Sequence, residues 1–106
     1  MGPNHDGGEF AERHAHRRAR RLMRRGDARK ALQMLRESAA RYQSGAAYCF
    51  LAHALIATGK QEEALGALRQ ALYCFRHTDQ QGRARTVARW ILTLDPGDRA
   101  ARRRVA

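Results

Sequence analysis

Ala46–Leu72, AAYCFLAHALIATGKQEEALGALRQAL, decides how this chain folds. Tyr48, Leu51, Ala52 and Leu55 recur at helical spacing and fall on one face of a first amphipathic helix. Ala64, Leu65, Leu68, Ala71 and Leu72 do the same for a second helix, and Thr58-Gly59-Lys60 is the turn between them. Gly59 stands where a helix C-terminus calls for a positive φ, which costs other residues about 1–2 kcal/mol. Alanines on the shared face let the two backbones approach closely.

These residues resemble the tetratricopeptide repeat, whose period is about 34 residues. Tyr48 takes the family's aromatic position, Leu51 and Ala52 its Leu-Gly pair, and Leu55 its second large position. Gly59 takes the turn, and Ala64, Leu68 and Ala71 the packing positions of the second helix. Ala52 in place of Gly and Arg76 in place of the frequent Pro are mild departures. The resemblance implies an all-α fold of stacked antiparallel helical hairpins, forming a right-handed array of about two and a half repeats. The chain is most similar to small bacterial-type members of this family.

Working toward the N-terminus, Gly26-Asp27-x-x-x-Ala31-Leu32-x-x-Leu35 parallels Gly59-Lys60-x-x-x-Ala64-Leu65-x-x-Leu68 at an offset of 33. A repeat over about 12–44 therefore precedes one over 45–78. Ala31, Leu32, Leu35 and Ala39 form the apolar face of its second helix. In its first helix, Ala11, Ala15, Ala19, Leu22 and Met23 share one arc, and Arg13, Arg17, Arg20, Arg21 and Arg24 the opposite one. Ala15 holds the aromatic position and Arg18 the usual Leu, which predicts weaker packing there. Residues 1–8 are polar and rich in Gly and Pro and are expected to be a disordered lead, with the helix beginning at Glu9.

Toward the C-terminus, Arg83–Leu94 reads as a helix with Val87, Trp90, Ile91 and Leu94 on its packing face. Two framings are open. Either it is the first helix of a third, partial repeat within 79–106, or Leu94-Asp95-Pro96 marks the end of a second helix. Four packing positions filled by large side chains favour the first. Pro96-Gly97 ends the helix, and Asp98 can cap a short basic helix over Arg99–Val105.

A chain of 106 residues allows one domain with a modest core. No run of about 18 apolar residues is present, so no membrane span is expected. The first residues lack a secretory apolar segment, and Asp6 stands where a myristoylation motif needs Ser or Thr. A cytoplasmic protein is the simplest expectation.

The formal net charge is +11, from 19 Arg and 2 Lys against 10 acidic residues. Arg-biased codon usage alone can produce such a balance, but it attracts acidic partners whatever its origin. In the repeat family the first helix of each hairpin lines a groove. Carried over by position, that lining is Arg13, His16, Arg17, Arg20, Met23 and Arg24 from the first repeat. Cys49, Phe50, His53, Ile56 and Ala57 come from the second, and Arg85 and Arg89 from the third. Arg13, Arg17, Arg20 and Arg24 make one stripe on spacing alone. Guanidinium groups grip carboxylates in bidentate fashion, and family members that bind peptide carboxylates use basic groove residues. The expected function is therefore a non-enzymatic adaptor or chaperone that binds an acidic peptide, as bacterial secretion chaperones of this family cradle one client segment.

The alternative is binding of RNA or DNA phosphate, for which seven arginines between residues 13 and 25 would suffice. Against it, the aromatics do not interleave with the basic run as a stacking platform would. The apolar arc of the basic helix is mostly Ala, too small to insert into a membrane surface. Cys49, His53, Cys74 and His77 could meet at one end of the second hairpin as a zinc site, but their spacing matches no strong metal motif. No metal, cofactor or catalytic constellation is expected. So short an array predicts self-association or a dedicated partner through faces such as Trp90 with Ile91.

Overall fold

The computed structural model describes the backbone of residues 3–106 and the side chains from residue 10 onward. Six helices follow one another: α1 (Pro3–Arg24), α2 (Ala28–Tyr42), α3 (Gly45–Ala57), α4 (Gln61–His77), α5 (Gln81–Leu94) and α6 (Arg99–Val105). No strand occurs among the described residues, and the fold is all-α. Helix α1 starts at Pro3, ahead of Glu9; proline suits a first helical turn, where its missing N–H has no partner to lose. Met1 and Gly2 of the expected lead lie outside the described residues.

Each helix packs against the next in sequence, and α1 also touches α3. The result is a stack of hairpins: α1 with α2, α3 with α4, and α5 with the short α6. Helix α5 thus packs between α4 and the short α6.

The two long hairpins turn in the same way. Lys60 N–H donates to the Leu55 carbonyl at 2.8 Å and Gly59 N–H to that of Ile56 at 3.0 Å, with Gly59 at φ 78°. Asp27 and Gly26 repeat these bonds to Leu22 and Met23 at 2.9 and 3.0 Å, with Gly26 at φ 84°. This is the Schellman geometry, and its 6→1 bond needs the left-handed residue that glycine supplies without strain. Ser44 caps α3 by accepting from Ala47 N–H at 3.0 Å, and Asp98 caps α6 through Ala101 N–H at 2.9 Å.

Small residues let the helices close. Ala31, Ala47, Ala52, Ala64, Ala71, Ala84, Ala88 and Ala101 are fully buried between helices, around Leu55, Leu68 and Ile91 as the largest enclosed side chains. Burying each of those three contributes about 1.5–3 kcal/mol. Away from the core, Arg36 of α2 makes a bidentate bridge to Glu63 of α4, and Arg69 of α4 reaches Asp95 and Asp98 in the α5–α6 turn. The Arg36–Glu63 and Arg69–Asp95 pairs are exposed and each adds at most about 1 kcal/mol. They nonetheless engage Arg36 and Arg69 on the face formed by α2, α4 and the last turn. No helix among the described residues is long and apolar enough to cross a membrane.

Candidate functional site

With α2 and α4 stitched together on one side, α1, α3 and α5 line the other. Helix α1 presents Arg13, His16, Arg17, Arg20 and Met23 to it, and α3 presents Cys49, Phe50, His53 and Ala57. Helix α5 presents Arg83, Thr86, Val87 and Trp90. Phe50 is the centre of the wall. Its ring lies 4.3 Å from that of His16, and the Arg20 guanidinium sits 5.6 Å from its centroid, within cation–π range. One turn along α3, His53 lies 4.4 Å from the indole of Trp90. Phe75 of α4 closes the floor between α3 and α5, with the Arg83 guanidinium 5.9 Å from its ring.

Among the described residues, no carboxylate lies within ion-pair distance of Arg17, Arg20 or Arg83, whereas Arg36 and Arg69 on the opposite face are paired. Glu12, at the rim, accepts a hydrogen bond from the Ser44 hydroxyl. His16 is 5% exposed, and its Nε2 is 3.2 Å from the Ser38 hydroxyl. Burial holds its pKa below 6.5, opposed by the nearby Glu12 charge. Loss of hydration among its groove neighbours lowers His53 in the same direction, and the Arg20 charge adds to it, although the ring edge still reaches solvent. Both shifts favour the neutral imidazole, so the lasting positive charge of the wall is guanidinium charge. Burial pushes the Cys49 thiol up to about 11, against the pull of Arg83 and with a small push from Cys74.

Of the expected lining residues, the structure places Arg13, Arg17, Arg20, Cys49, Phe50 and His53 along adjoining cavities. Four expected lining residues are elsewhere. Arg24 is exposed beyond the cavities, and Ile56 turns inward against the core. Arg85 and Arg89 are exposed and line no part of the groove. The buried face of α5 is Ala84, Val87, Ala88 and Ile91, and at about 100° per residue Arg85 and Arg89 fall on one flank of it while Arg83, Thr86 and Trp90 fall on the other.

Trp90 is accordingly half-buried, packed against the core on one side and lining the groove on the other. Ile91 is 0% exposed, so Trp90 with Ile91 cannot form an outer surface for self-association. The two alanines of α5 were the signal for this rotation, since fully buried alanines mark where helices meet closest.

Cys49, His53, Cys74 and His77 do not converge. His53 faces Trp90, His77 stacks on Tyr73 and bonds its carbonyl at 2.9 Å, and the Cys74 thiol donates to the Gln43 carbonyl at 3.3 Å. Among the described residues no three His, Cys, Asp or Glu side chains are placed to hold a metal ion. No protein-family model matches the chain, and no curated protein matches it in sequence.

Proposed function

We propose that this chain is a non-enzymatic protein-interaction module of the tetratricopeptide kind, an adaptor or chaperone that holds an acidic or carboxylate-bearing segment of a partner protein between α1, α3 and α5. The observation that carries the reading is the cluster of Arg17, Arg20 and Arg83 around Phe50, with no carboxylate partner among the described residues. Guanidinium groups on a concave, partly apolar wall bind carboxylate more strongly than the same groups in open solvent, because the local dielectric is lower. Two hairpins with the same Schellman turn, offset by 33 residues, support the repeat assignment. Both cysteines are free, in keeping with a reducing cytoplasmic setting.

The test is capture of a partner from the native cytoplasm at moderate salt, with nuclease present. Arg17→Glu combined with Arg20→Glu should weaken capture by roughly a hundredfold or more, since two charge-assisted contacts are lost, while far-UV circular dichroism stays unchanged. Recovery that disappears with nuclease would point instead to nucleic-acid phosphate as the target and overturn the proposal.

A further inference from the structure

The arginine cluster is flanked by two apolar cavities that a carboxylate alone does not use. One, of about 370 Å³, lies between α1 and α3 and is walled by Ala19, Met23, Leu35 and Ala54. The other, of about 390 Å³, lies between α3 and α5 over Phe75, Val87 and Trp90. It exists because the α5 backbone packs on α4 and α6 and meets α3 through side chains, His53 on Trp90. Phe50 and His53 border both cavities from α3, and the Arg20 side chain lines both. Cationic and apolar surface therefore alternate across the wall as cavity, guanidinium, cavity.

We propose that the bound segment carries two bulky apolar side chains, one seated in each cavity, with the acidic residue held by Arg20 between them; this rests on the peptide-binding reading above. The two cavities lie on either side of α3, and a helix with its side chains is about 10 Å across, so they are separated by about that distance. An extended peptide spans it in three residues at about 3.3 Å each, and a helix in seven at 1.5 Å each. The segment then reads as two large apolar residues, three or seven positions apart, with Asp or Glu between.

Two fluorescein-labelled peptides test this by fluorescence polarisation against the full chain. One is a Ser/Gly peptide with leucines three apart around an aspartate, and the other an Ala-rich helical peptide with leucines seven apart around a glutamate. At least one should bind, and changing either leucine to serine should weaken it about tenfold or more. Ala57→Trp and Thr86→Trp, at exposed positions on the two cavity rims, should each weaken the leucine peptide similarly without altering helicity. A leucine-free acidic peptide that binds equally well would overturn the two-anchor inference and leave the acidic-peptide reading standing. Equal binding by a peptide with Asn or Gln in place of the acid would overturn both, as would failure of every acidic peptide to bind.

Discussion

Replacing Gly45 with alanine should loosen the stack through one aromatic ring. Gly45 opens α3 and is buried against α4, and a Cβ added there would lie 2.3 Å from Cε1 and 2.4 Å from Cζ of Phe75. To reach ordinary contact the ring has to retreat by about 1 Å, out of a site where Phe75 is only 5% exposed. Overpacking of this kind costs about 1–3 kcal/mol, while removing a helical glycine returns at most about 1 kcal/mol. The net loss is about 1–2 kcal/mol, a fall in melting temperature of roughly 5–10 °C for a chain of this size.

Gly66 supplies the contrast. It is exposed in the middle of α4 with nothing near its missing Cβ, so Gly66→Ala should raise stability by about 0.5–1 kcal/mol. Thermal unfolding followed by circular dichroism reads both. In a Phe75→Leu background the Gly45→Ala penalty should shrink toward zero, because the clashing atoms are gone. A Gly45→Ala protein that melts at or above the wild-type temperature, or a penalty that persists without the Phe75 ring, would refute the packing argument.

Two further outcomes follow from the titratable groups whose pKa values are shifted. His16 and His53 have folded-state pKa values below 6.5, so the unfolded chain takes up more protons in acid; stability should be constant above about pH 6.5 and fall as pH drops from 6.5 toward the folded values. Melting temperatures between pH 8 and about pH 5 check this, and His16→Gln should reduce the fall, whereas a flat profile would contradict a buried neutral His16. The Cys49 thiol, near 11 when folded against a reference of 9.0, should react with an aromatic disulfide reagent roughly a hundredfold more slowly at neutral pH in the native protein than in guanidinium. Labelling rates in the two solvents, with Cys74→Ser to isolate the site, decide it.

Some of this architecture is legible in the residues and some is not, for identifiable reasons. The α3–α4 hairpin can be read because its signals agree: Leu51, Ala52, Leu55, Ala64, Leu68 and Ala71 are all buried where α3 packs on α4, and Gly59 has the positive φ its place in the turn requires. Helix α5 is legible only in part: Val87 and Ile91 bury as their spacing predicts, but small residues complete the face. Ala84 and Ala88 bury completely, and this rotates Trp90 and Arg83 into the groove and Arg85 and Arg89 out of it. His16 has the same character: its spacing places it on the groove side, but only the structure shows it sunk against Ser38 and Phe50. Charge pattern finds the arginine stripe of α1, yet one stripe cannot say which guanidiniums share a cavity. That depends on how α1, α3 and α5 are spaced.

Arginine side-chain NMR on the uniformly ¹⁵N-labelled protein tests the central claim most directly. During titration with an acidic leucine-bearing peptide, the Nε–Hε signals of Arg17, Arg20 and Arg83 should shift together and saturate at one equivalent, while those of Arg24, Arg85 and Arg89 stay in place. Shifts spread evenly over inner and outer arginines, or confined to the outer set, would mean that acidic ligands meet a diffuse basic surface and not a groove.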